Sequence, residues 1–483
     1  MLISILIKRV LITFWILFCI QIFIFLILED IFPYTIFKET TFFYSFYFKN
    51  LFFSGIAIII IIYFFKKIVK EKISIIIEEI DFNLISKIFI YLTLLGVLAS
   101  SISKYLLYGD QIVHHYIENP GNINCIISSF RGLWKVNREL LADSPNMLLI
   151  YNILSPIGTI LMNFFSVLMV IIFFFSSRVK NRINFFLILS ISVTILFYCL
   201  MVGSKNILFN SFSFSLCCLI ISYIVGMLDY KRILIFFFFS FLCFCLVFLF
   251  QQTRTNCSKI NQPNYDTTIE FENKITETSK ENEDIQIENI EITGRYLLNL
   301  KDYKPQILKL INVKDYLSNV TINHTLWYLL TGKVNGEYIL KNVDRPVIGN
   351  IIIAKTLNIF TRDLGKQIIA VKVDWIKSWG GVSFLHLLWY DFSYFGIVLF
   401  VLIISAIILL VSKINIPRTN LDKIKFILIL YVLIIFFYIF VQFFNWYALE
   451  TINSRFIFFD LLIFKIYLIT KINIKNKLKK KND

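Results

Sequence analysis

The sequence predicts an all-α polytopic membrane protein of about ten transmembrane helices, with one large external loop between helices 7 and 8. Three observations lead there: a very high apolar share, ten long apolar runs, and a basic charge sorted to one side of those runs. Hydrophobic residues make up 58% of the 483, Phe alone accounts for 52, and mean hydropathy is +0.73. Soluble domains carry roughly 45–50% apolar residues. A helix needs about 20 mainly apolar residues to span the hydrocarbon core, and it satisfies its own backbone amides there.

The runs are Val10–Leu28, Leu51–Phe65, Ile88–Leu107, Leu148–Phe175, Ile183–Val202, Ile207–Leu228, Ile233–Phe250, Phe384–Val411, Phe426–Phe444 and Phe456–Thr470. The second is short and is expected to begin earlier, near Phe46. Lys8 and Arg9 before the first run imitate a secretory signal, but that run is long and lacks a small-residue cleavage site, so an uncleaved anchor is expected. Pro156 and Gly158 in the fourth run predict a kink, either lining a cavity or serving packing.

The net charge of +16 is not spread evenly. With the N-terminus inside, the short inner segments and the tail from Lys471 to Lys481 hold 22 Lys and Arg, and the short outer segments hold 8. That asymmetry places both termini in the cytoplasm and the long loop outside. It reads as contact with anionic headgroups rather than with nucleic acid. The organisation expected is a bundle over 1–250, the large periplasmic loop over 251–381, further membrane helices over 382–470, and a basic tail over 471–483. Within the loop, 266–291 holds nine acids against two lysines and is expected to be a mobile insert. Residues 295–377 are basic and apolar enough to pack.

Between Phe65 and Ile88 the mixed segment suits an inner surface helix or a solvated connector. The outer loop from Tyr108 to Met147 carries Asp110, His114, His115 and Glu118, yet neighbouring histidines point apart, and no metal is expected. Its Arg131, Lys135 and Arg138 share one face of a helix, which suits plain solvation. Six of the eight cysteines sit in apolar runs as small hydrophobes. Cys125 and Cys257 face outward, close enough to pair only if the fold allows. Phosphate-loop, dinucleotide, HExxH and paired CxxC motifs are absent from the sequence, which leaves ATP-driven transport unsupported.

Two places carry chemistry. The tight turn Val202-Gly203-Ser204-Lys205-Asn206 sets Lys205 beside the start of the next helix, where amides and dipole favour an anion. The other is the helix entrance from Ser378 to Gly396, with Trp375, Trp379 and Trp389 as interfacial aromatics. His386 and Tyr390 share a helix face there, and Asp391 follows. An acid in an apolar span faces the protein interior or a wet cavity, so Asp391 and His386 are candidates for acid/base work or for binding sugar hydroxyls; an Asp satisfied by a neighbouring helix is the alternative.

The elements GSKNILF at 203–209 and SFLHLLWYDFSYFG at 383–396, with the long late loop between them, resemble the Wzy-type O-antigen, or oligosaccharide repeat-unit, polymerases. The family often has Arg where Lys205 stands and Gly where Ser393 stands. The resemblance implies a GT-C-like membrane enzyme in the bacterial inner membrane. It would transfer a glycan from undecaprenyl pyrophosphate to another lipid-linked repeat unit at the periplasmic face. Its expected partners are that lipid-linked glycan, membrane lipids and a chain-length regulator, with no cofactor and no nucleic acid. A leaving pyrophosphate needs fixed positive charge, and Arg presents a planar fork for it. Arg254, just after the seventh run, and Arg295, Arg345 and Arg362 in the basic half-loop are the candidates, Arg345 as a catalytic group. Two alternatives stay open. Glu29-Asp30 after the first run suits a membrane glycosyltransferase that uses polyprenyl-phosphate sugars. A lipid-linked oligosaccharide flippase is the other, disfavoured because charge collects at the outer rim rather than at mid-membrane.

Overall fold

The computed structural model describes residues 3–31, 40–68, 80–118, 144–202, 206–257, 383–413, 421–441 and 452–482. Every regular element among them is helical: α1 (Ile3–Ile31), α2 (Thr40–Ile68), α3 (Phe82–Glu118), α4 (Pro145–Asn163), α5 (Phe165–Phe175), α6 (Asn181–Val202), α7 (Asn206–Val225), α8 (Tyr230–Cys257), α9 (Phe384–Phe392), α10 (Phe395–Lys413), α11 (Leu421–Val441) and α12 (Ile452–Asn482). Nine stretches of these residues are long and apolar enough to cross a bilayer, and they match the first nine predicted runs. The tenth run lies in α12, whose described side chains reach only from 457 to 472 and then Ile474. The described residues thus form an all-α bundle of a membrane-embedded protein.

Several predicted boundaries are corrected. The fourth run is two helices, not one kinked at its proline: α4 continues past Pro156 and ends at Asn163, where Phe164 (φ −61°, ψ −9°) joins it to α5. The eighth run is also broken, at Ser393 and Tyr394 between α9 and α10. Other helices outrun their apolar cores. The end of α3 holds Asp110, His114, His115 and Glu118, which were expected in a loop. Arg254 belongs to α8, and Glu29-Asp30 to the last turn of α1. Hydropathy measures the length that lipid requires, whereas backbone hydrogen bonding continues for as long as the helix is locally favoured.

The bundle is built around α5, whose eleven residues are all buried. It packs against α3, α6, α7 and α12, so no side of it is left for lipid. Its partner α4 lies along α3 in the closest helix pair. A Cβ added to Gly158 would lie 2.8 Å from the Ser100 backbone nitrogen, and one added to Gly96 would lie 2.4 Å from that of Met162. Small residues allow this approach, which dispersion alone rewards in lipid. Gly158 therefore serves packing, not a cavity.

Aromatic packing fixes α10 against α1 and α11: Phe14 lies 6.2 Å from Phe400, and Phe400 stacks on Phe436 at 4.8 Å. At the far end of α11, Gln21 donates to the carbonyls of Phe440 and Val441 at 3.3 and 3.5 Å. The opposite end of the bundle is tied by arginines. The Arg232 guanidinium donates to the carbonyls of Phe173 and Met227 and pairs with Asp229, while Arg9 donates to the Ile224 carbonyl at 3.3 Å. The exposed carbonyls at the ends of α5 and α7 thereby find donors. All six cysteines of the apolar runs are free thiols within helices, as expected.

Residues 258–382, and with them nearly all of the large loop, lie outside the described residues. So do Cys125, Arg131, Lys135, Arg138 and the centre of the segment between α2 and α3.

Candidate functional site

The site forms where α9 meets α2. Ser383 begins α9 as its N-cap, extended at φ −63° and ψ 149°, and its hydroxyl accepts from the His386 amide at 3.5 Å. The same hydroxyl lies 2.5 Å from Nδ1 of His386. A hydroxyl carries one proton and two lone pairs, so Ser383 donates to Nδ1 in one imidazole tautomer and accepts from it in the other. Nε2 points at the Tyr47 hydroxyl, 3.4 Å away. The imidazole stacks on Phe46 at 4.9 Å and meets Tyr47 edge-on at 5.9 Å. It is fully buried, with both nitrogens engaged. His386 is thus a pin that holds α9 to α2.

Asp391 stands near the other end of α9. Asp391 is fully buried, and it borders a depression of about 460 Å³ lined also by Phe392, Ser393, Phe395, Leu399 and Leu402. Phe395, Leu399 and Leu402 are exposed apolar residues, so the depression opens along a face of α10 that a bilayer would cover. Its lining is mostly apolar, which suits a lipid chain lying along α10.

The joint between the two helices is strained. Ser393 closes α9 by donating its amide to the Trp389 carbonyl at 2.6 Å, and adopts φ 55° and ψ −150°, a region kept almost wholly by glycine. Gly396 lets the chain fold back: a Cβ there would lie 2.4 Å from the Leu388 carbonyl oxygen. The Lys49 ammonium of α2 sits 5.5 Å above the Tyr394 ring, bringing a cation beside the joint. Trp389 packs edge-on to Phe46, and its buried indole N–H has no hydrogen-bond partner among the described residues.

Of the residues singled out in the sequence, His386, Tyr390 and Asp391 come together on one nine-residue helix. Tyr390 is buried rather than open to the depression. Arg254 lies on α8, its side chain outside the described residues, as are Lys205, Trp375, Trp379, Arg295, Arg345 and Arg362. Sequence reasoning passed over Ser383, Phe46, Tyr47 and Lys49 as site residues. It also passed over Asp460, a fully buried acid inside the last apolar run. Asp460 carried a readable signal, an acid at membrane depth; Tyr47 and Lys49 carried none beyond their place at the start of a helix.

No protein-family model matches the chain, and neither a curated protein nor a solved structure does.

Proposed function

We propose that this protein is a GT-C-like membrane glycosyltransferase. It would polymerise undecaprenyl-pyrophosphate-linked oligosaccharide repeat units into a surface polysaccharide at the outer face of the bacterial inner membrane. The observation that carries the reading is the apolar depression at the α9–α10 joint, with the buried Asp391 bordering it and a lysine nearby. A lipid-linked sugar has matching parts. The acceptor hydroxyl attacks the anomeric carbon of the donor, the bond from that carbon to the pyrophosphate oxygen breaks, and the pyrophosphate leaves on its lipid. Asp391 takes the proton from the attacking hydroxyl. Lys49, joined by Arg254, Arg295, Arg345, Arg362 and Lys205 of the sequence reading, offsets charge on the leaving group. His386 positions α9 rather than touching substrate.

The test is purified protein in liposomes with a defined undecaprenyl-pyrophosphate repeat unit, no nucleotide and a metal chelator, the glycan being resolved on a gel. A ladder of lengths, lost in Asp391→Asn and Arg345→Ala, is the expected result. A second reading, a lipid-linked oligosaccharide flippase, is favoured by Asp460, because a buried acid at membrane depth is what coupled transporters use. Lipid crossing the vesicle membrane with no ladder would put that reading first.

A further inference from the structure

We infer that Asp460, Asn163 and Tyr198 form a binding site for a monovalent cation of the sodium class, inside the bundle at the junction of α4 and α5. The inference stands apart from the polymerase reading.

The starting point is an accounting of oxygen atoms. Asp460 of α12 is fully buried, and neither carboxylate oxygen has a hydrogen-bond partner among the described residues. The Oδ1 atom of Asn163, also fully buried, has none either. Three orphaned oxygens in a water-poor interior cost too much to leave unmatched.

They sit on elements that pack together, α12 lying against α4 and α5. Asn163 donates through Nδ2 to the Tyr198 hydroxyl at 3.4 Å and to the Thr159 carbonyl at 2.8 Å, so its Oδ1 is the unused end of a fixed amide. The Tyr198 hydroxyl itself donates to the Thr159 carbonyl at 3.5 Å and lies within electrostatic reach of Asp460. The Phe89 ring bridges the same elements, 5.1 Å from Phe164 next to Asn163 and 5.6 Å from Phe464, one turn along α12 from Asp460.

Stoichiometry selects the ligand. No basic side chain among the described residues pairs with Asp460; Lys465, on the same helix, lies over the Tyr431 ring at 4.4 Å. A proton on Asp460 would satisfy one acceptor and leave another orphaned, whereas a bare cation serves several oxygens together. One carboxylate balances one positive charge, so a monovalent ion leaves the site neutral. Carboxylate, amide, phenol and carbonyl oxygens are hard ligands, suited to such an ion.

The experiment is thermal unfolding of the full chain in detergent, with choline chloride replaced by sodium chloride at constant ionic strength. Wild-type protein is expected to gain on the order of 2 °C in Tm, since a ligand of the native state alone stabilises it. Asp460→Asn, close in size and uncharged, is expected to melt no lower than wild type in choline and to ignore sodium. A wild-type Tm that does not respond to sodium, or an Asp460→Asn response equal to wild type, would overturn the site. Should Asp460→Asn fail to fold, Tyr198→Phe decides: a weakened sodium response supports the site, and an unchanged sodium midpoint sinks it.

Discussion

Ser383 and His386 are joined twice, once through the backbone amide at 3.5 Å and once through Nδ1 at 2.5 Å, so the residue that starts α9 also orients the side chain that docks it. Ser383→Ala removes both links. Loss of an N-cap costs about 0.5–2 kcal/mol, and the freed imidazole loses its register on Phe46. A lowered melting temperature with a reduced product ladder is expected, and Ser383→Thr, which keeps a hydroxyl, should restore most of both.

Asp391→Asn separates chemistry from folding. It keeps the shape of a side chain at the edge of the depression and removes the proton acceptor. Turnover should fall by about 10²- to 10⁴-fold in protein that still extracts as a monodisperse species, read as ladder formation over time. Equal turnover in the variant would move the base elsewhere.

Ser393 offers a gain. Its φ of 55° with ψ of −150° costs a side chain roughly 1–3 kcal/mol. Ser393→Gly should raise the melting temperature, and Ser393→Val, branched at Cβ, should lower it. A thermal melt of the three proteins side by side decides.

Gly96→Ala should harm folding more than Gly55→Ala. A Cβ at 96 meets the Met162 backbone at 2.4 Å, and one at 55 meets the Trp15 side chain at 3.2 Å. Backbone cannot step aside cheaply, and overpacking of this kind costs about 1–3 kcal/mol. The readout is the yield of monodisperse protein from detergent extraction.

Arg232→Ala leaves the carbonyls of Phe173 and Met227 without this donor. Each buried orphan costs about 1–3 kcal/mol, so a marked loss of thermal stability is expected, with only partial recovery in Arg232→Lys, which lacks the fork.

The helices were legible because lipid imposes a length and an apolar composition that any span must meet, and nine of the ten runs have their counterparts. The breaks were not legible. Phe164 is as apolar as its neighbours, and Ser393 is a helix-compatible residue in an adverse conformation, so neither interrupts the hydropathy. Within the site, an acid and a histidine in an apolar run drew attention to Asp391 and His386. Their surroundings were not legible: Ser383 and Tyr47 meet the imidazole, and Asp391 is buried beside a depression. Those contacts join α9 to α2, more than three hundred residues apart, and no local pattern reports such a meeting.

The enclosure of α5 sets an order of events during biogenesis. α4 and α5 together are long and apolar enough to enter the bilayer as one span, as inserted helices do before they associate. Yet α6, α7 and α12, three of the helices that surround α5, are made after it, and α12 comes last. Until α12 arrives, one flank of α5 faces lipid rather than protein. The innermost helix is therefore covered only after the residues of α12 have been made, and a chain stopped before Ile452 would present that open flank to membrane proteases.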